Sequence, residues 1–223
     1  MGLIGTNAYL LIDEDSKEAA VIDLGGDFAP VKNEIEKQGA KLKYILNTHG
    51  HFDHIFGEKD AQSMTDAPVY IHEEDKYLAQ NLPKQLERFG FVQNVEAPCD
   101  LHTFTDKDTF SLGKNEIKVI HTPGHTPGSV CFLVGKHLFS GDTLFYTSVG
   151  RTDFEGGSFA QLSNSIKEKL FKLEDDIDVY PGHDSKTSIG YEKKYNCYFG
   201  SQIRMYTVIK DFSNLFSGHR TPV

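Results

Sequence analysis

Cysteine is scarce in this chain of 223 residues: Cys99, Cys131 and Cys197 are the three, far apart. They show neither a paired zinc-binding spacing nor a disulfide framework. Each is expected to be a small buried or half-buried residue, and a reducing cytoplasm is the expected location. Long apolar runs are missing too. Nothing approaches the roughly 20 residues that a membrane helix needs. No basic segment followed by an apolar stretch marks the N-terminus, so no secretory signal is expected. Basic residues are outnumbered, 23 Lys and Arg against 32 Asp and Glu, for a net charge of −9. That balance argues against nucleic-acid binding, which relies on clustered Lys and Arg. A small anionic substrate stays open, because a metal centre would supply local positive charge. No repeat, low-complexity run or linker is visible, so one domain over 1–223 is expected.

Alternation and turn residues predict an opening hairpin from Asn7–Ile12 and Ala19–Leu24, broken at Gly25-Gly26-Asp27. Pro30 sits near the start of an amphipathic helix that ends by Gly39. Tyr44–Asn47 reads as a short buried strand, His54–Met64 as a helix, Pro68–His72 as a strand and Glu73–Gln80 as a helix. Residues 81–99 read as a loop with some helix. Five strands follow: 101–104, 108–112, 117–121, 129–134 and 136–139. A helix over Phe159–Leu173, a strand over Ile177–Tyr180 and a helix over Gln202–Phe216 complete the pattern. Two β-layers with helices outside accommodate this order.

The densest chemistry lies in Thr48-His49-Gly50-His51-Phe52-Asp53-His54. Three imidazoles and a carboxylate follow an apolar strand, and these are the ligands of borderline divalent metals such as zinc. In extended backbone residues two apart point the same way, so His49 and His51 can reach one ion. Asp53 and His54 turn toward another point; Asp53 also reads as the N-cap of the next helix. Three further strands end in such groups. His125 lies between two Thr-Pro-Gly units, stiff because proline fixes φ. Asp142 follows Ser140-Gly141, and His183 follows Pro181-Gly182. Ligands at several strand ends are how a rigid scaffold presents a site. Together they supply His49, His51, His125 and Asp142 for one ion, and Asp53, His54, His183 and the same Asp142 for a second.

The ordered set Thr-His-Gly-His-Phe-Asp-His, Thr-Pro-Gly-His, Ser-Gly-Asp and Pro-Gly-His resembles the metallo-β-lactamase superfamily, from about Asn7 to Tyr195. The resemblance implies a four-layer αββα sandwich with the metals at one edge of the two sheets. Within it the chain is most similar to short bacterial relatives of glyoxalase II, the hydroxyacylglutathione hydrolases, through Gly141–Phe145, Gly150–Phe154 and Thr187–Asn196. It departs from them after Asn196, so 197–223 reads as a divergent extension, and the long helical region that grips glutathione has no match. The implied activity is thioester hydrolysis of a small acyl-thiol by a hydroxide bridging two ions, most simply zinc, with iron or manganese as alternatives. Asp53 would ligate and orient that hydroxide. His121 would stand behind a ligand, and Tyr146 and Arg151 would contact substrate, unless Arg151 is an ion-pair partner. Gly150–Phe154 is also similar to persulfide dioxygenases, which would use a single iron at His49, His125 and Asp142. A β-lactamase is disfavoured by the lack of a visible secretory signal.

Overall fold

The computed structural model describes residues 2–91 and 95–202. The expected C-terminal helix lies outside the described residues apart from Gln202. Two sheets form the body. The first runs β1 (Tyr9–Ile12), β2 (Glu18–Ile22), β3 (Lys41–Leu46), β4 (Val69–His72) and β5 (Leu101–Phe104), in that spatial order. β1 and β2 are the expected antiparallel hairpin, and the remaining neighbours are parallel. The second sheet contains β6 (Thr109–Leu112), β7 (Asn115–His121), β8 (Val130–Val134), β9 (His137–Gly141), β12 (Asp178–Pro181) and β13 (Thr187–Ser188), in the order β13-β12-β9-β8-β7-β6. A two-stranded ribbon, β10 (Leu144–Phe145) with β11 (Ser148–Val149), leads away from β9.

Strand alternation separates three apolar layers. Ala20 and Ile22 of β2 meet Val130 and Phe132 of β8 between the sheets. Ala19 and Val21 face outward onto Ile35 of helix α1 (Ala29–Lys37) and Ala61 of α3 (Glu58–Met64). Cys131 and Leu138 face outward onto Leu162 and Ile166 of α6 (Phe159–Glu168) and Ile189 of α7 (Ile189–Tyr195). A fourth cluster packs Ile71 of β4 under α2 (Phe52–Ile55), α4 (Lys76–Gln80) and α5 (Leu82–Arg88). The result is the expected αββα order.

Local departures have physical causes. The helix expected over His54–Met64 is two helices, α2 and α3. Gly57 between them donates its N–H to Leu24 O, and a side chain there would collide with Gly26 O. Asp53 is no N-cap, since α2 already starts at Phe52 and His51 precedes it in extended backbone. The helix expected from Glu73 begins with a 3-10 turn over Glu73–Asp75, and the one expected to reach Leu173 ends at Glu168. Within 81–99, Pro83 near the N-terminus of α5 starts a helix that its weak periodicity concealed. The thiols are corrected more sharply: Cys131 is buried, but Cys99 and Cys197 are exposed.

Burial pushes the Cys131 thiol up to about 11. In the native protein at neutral pH an aromatic disulfide reagent should therefore titrate Cys99 and Cys197 and reach Cys131 only after unfolding. Phe132 is fully buried between the sheets, with its ring centroid 5.9 Å from that of Phe104. Phe132→Ala should cost about 3–5 kcal/mol, read as a lower urea midpoint; a change under about 1 kcal/mol would contradict this core.

Candidate metal centre

Four strands deliver the clustered groups from their C-terminal ends: β3 to His49, His51, Asp53 and His54, β7 to His125, β9 to Asp142 and β12 to His183. The ligand atoms of His49, His51 and His125 lie within 4.8 Å of one another. So do those of His49, His54 and Asp142, and those of Asp53, His54 and His183. His51 Nδ1 is 2.8 Å from His125 Nε2. Asp142 spans the sets: its Oδ1 is 3.3 Å from His54 Nε2, and its Oδ2 is 3.5 Å from His125 Nε2 and 3.7 Å from His183 Nε2. His183 Nε2 is 3.1 Å from Asp53 Oδ2, which also accepts from Thr6 Oγ1 at 2.8 Å. Thus the structure brings all seven sequence-predicted ligand residues together. The extended run through His51, turned at Phe52 into α2, sends Asp53 and His54 toward the second set.

This group of side chains fits metal ions. His49 Nε2, His54 Nε2 and Asp142 Oδ1 are buried without a hydrogen-bond partner, a costly state for atoms that nothing else would hold. The opposite ring nitrogens are tied outward, the arrangement that fixes a ligating tautomer. His49 Nδ1 donates to Thr48 Oγ1, His54 Nδ1 to Asp23 Oδ2 at 2.9 Å, and His125 Nδ1 to Arg151 O at 2.6 Å. Burial, reinforced by the neighbouring imidazoles, holds His49 well below its ordinary value and His51 down to about 3, so both are neutral. Burial alone would raise Asp53, but His54 and the hydrogen bond from His183 outweigh it and keep the carboxyl ionised. For His54 the effect of burial is likewise outweighed, by Asp53, Asp142 and Asp23, and its pKa is raised.

Two carboxylates that the sequence reading missed position these loops. Asp23 sits just after β2 with φ of 58°. It accepts from Thr48 N and Thr48 Oγ1 as well as from His54. Asp75, in the 3-10 turn after β4, accepts from Gly50 N at 2.9 Å, Gly128 N at 2.7 Å and Thr126 Oγ1 at 2.6 Å. It therefore ties the His49–His51 loop to the loop bearing His125. An acidic residue interrupting the apolar run before Leu24 was the available signal for Asp23; Asp75 sits in an acidic triplet and carried none. Gly182 passes directly over the cluster, where a side chain would collide with Asp142 Oδ1 and approach His54.

The three remaining sequence candidates fare differently. His121 is not brought to the cluster: its Nε2 donates to Pro127 O at 2.9 Å and its ring stacks on His72. Tyr146 is exposed and shares a hydrogen bond and ring stacking with Tyr191. Arg151 does line the cavity beside the cluster, yet its guanidinium is paired with Asp153 through Nε and Nη2 and lies over the Phe154 ring. That cavity, about 340 Å³, is walled by Phe52, Phe89, Phe91, Phe145 and Phe154.

The sequence model of the metallo-β-lactamase superfamily matches residues 1–183. This chain belongs to that superfamily. It is 38% identical over 196 residues to a hydroxyacylglutathione hydrolase, GloC, of Haemophilus influenzae, covering 86% of this chain and 92% of the relative. Among solved structures it is similar to the BLEG-1 B3 metallo-β-lactamase, with a TM-score of 0.79 and 36% identity, covering 88% of this chain and 95% of that one. It is similar also to TTHA1623 in a di-iron-bound form, with a TM-score of 0.78 and 32% identity over 88% and 96% of the two chains. By superfamily and donor set the protein is a metal-dependent hydrolase.

Asp75→Ala would leave the Gly50 and Gly128 amides unpaired, at about 1–3 kcal/mol each. Urea unfolding should show a loss of about 2 kcal/mol or more, and unchanged stability would exclude the tie. Glu58 offers a pH test. Both its carboxyl oxygens are buried without a hydrogen-bond partner, and burial, against a smaller effect of Asn47, drives its pKa well above the ordinary value. The folded state thus prefers the neutral acid, and the wild type loses stability as pH rises above the unfolded pKa of about 4.3. Glu58→Gln should be more stable than wild type at pH 7, by a margin that shrinks toward acid pH; a pH-independent difference would refute this assignment.

Proposed function

We propose that the protein hydrolyses small acyl-thiols, S-acylglutathione or a related thioester, with two divalent ions held by the seven clustered residues. Zinc is the simplest occupant, and iron or manganese suit the same donors. Bound there, such ions lower the pKa of a water toward about 7 and polarise a carbonyl. The chain supplies the rest. Asp53 Oδ2, oriented by Thr6 and His183, is placed to ligate and, as an ionised acceptor, to orient the attacking water by hydrogen bonding. The phenylalanine walls exclude bulk water and suit an apolar acyl group, with Arg151 at the rim.

The observation that carries thioester over amide chemistry is the lining of the cavity. Among the described residues its lining contains no lysine, tyrosine or cysteine that could protonate a leaving amine, its histidines are all among the proposed ligands, and Asp53 is held ionised. A leaving thiolate, with a thiol pKa of roughly 8.5, needs no such acid. Similarity to GloC points the same way, while similarity to a B3 lactamase favours β-lactams as the second reading.

The test compares S-acylglutathione hydrolysis, nitrocefin hydrolysis and oxygen uptake with glutathione persulfide on one preparation of known metal content. About two ions per chain with thioester turnover dominant is the expected result. About one iron with oxygen uptake would replace this reading with a dioxygenase, and dominant nitrocefin turnover would replace it with a lactamase. His51→Ala and Asp142→Ala should each abolish thioester hydrolysis and lower bound metal; near-wild-type turnover in either overturns the assignment.

A further inference from the structure

Outside the cluster, a second group of metal-binding side chains is assembled where the two sheets meet. His72 ends β4 of the first sheet, Glu74 lies in the 3-10 turn that follows, and His121 ends β7 of the second sheet. Their ligand atoms lie within 4.8 Å of one another. The two imidazoles stack, with centroids 4.4 Å apart and planes inclined by 15°. Glu74 Oε2 is 3.8 Å from His121 Nε2.

We infer that His72, Glu74 and His121 form a peripheral binding site for a divalent transition-metal cation of the zinc class, separate from the catalytic centre. Two imidazoles and a carboxylate are a competent zinc donor set. His121 Nε2, the nitrogen nearest Glu74, now donates to the Pro127 carbonyl, and an ion seated between Glu74 and His121 would take the place of that proton. The Nδ1 of His72 is occupied only by a 3.3 Å bond from Glu74 N, at the long end of the hydrogen-bond range and readily exchanged for a cation. Burial and the adjacent His121 ring keep His72 below its ordinary pKa and therefore neutral, as ligation requires.

The placement gives the site a consequence. His72 and His121 stand on different sheets, so an ion between them cross-links the two. Asp75 follows Glu74 directly and ties the His49–His51 loop to the His125 loop. An ion at this position would hold the base of that tie without touching substrate. With the Glu74 side chain 51% exposed, the site is reached from solvent, and exchange with free metal should be fast compared with the enclosed centre.

The test titrates the metal-loaded enzyme with zinc, read by competition with a chromophoric chelator and by metal content after gel filtration. The wild type should take up one further zinc per chain in a saturable manner. Glu74→Gln and His121→Gln should each weaken that uptake by about tenfold or more while the resident ions stay bound. Glu74 is exposed, so its variant should fold as wild type by circular dichroism. No saturable uptake beyond the resident ions overturns the proposal, and so does equally tight uptake in either variant. Because the readout is zinc and not turnover, the outcome does not depend on which reaction the centre performs.

Discussion

Everything at the working edge of this molecule depends on buried ring nitrogens and carboxylate oxygens that the protein leaves without a hydrogen-bond partner. His49 Nε2, His54 Nε2 and Asp142 Oδ1 are of this kind. Removing such atoms from water costs free energy that is not returned unless something binds them. A fold can carry that debt only if the groups cannot swing away to partners elsewhere. Their confinement explains the architecture: each group sits one to eight residues beyond the end of a strand, where the sheet fixes its starting position.

Confinement is completed by two buried carboxylates. Asp23 holds both Thr48 and the outer nitrogen of His54, and so orients one ligand while fixing the loop that carries the others. Asp75, in the turn after β4 of the first sheet, reaches across to the amide of Gly128 in the loop between β7 and β8 of the second. A backbone bond from Val130 N to Thr48 O, 2.8 Å long, runs beside it. The centre therefore belongs to neither sheet alone. Separation of the sheets would dissolve it, and the aromatic layer of Phe104, Phe110 and Phe132 between them supports the site as much as it stabilises the fold.

The legible part of this design was the part written in local sequence. The run from His49 to His54 reveals itself because metal ligation needs several donors close together, and the strands reveal themselves by alternation. Positions joined only through space were not legible. Asp75 and Gly128 are far apart in sequence, and nothing in Glu73-Glu74-Asp75 distinguishes the buried member of the triplet. His121 was misplaced for the converse reason. It lies four residues from His125, but the Thr-Pro-Gly turn between them sends the two rings to different neighbours. Helix α5 escaped notice because it buries just Leu82 and Leu86, too few positions to impose a period.

The donor set itself does not choose the metal, since imidazole and carboxylate serve zinc, iron and manganese alike. What the chain does control is the surroundings. Its cavity is aromatic, its lining guanidinium is already paired with Asp153, and the Asp53 carboxylate is held ionised among histidines.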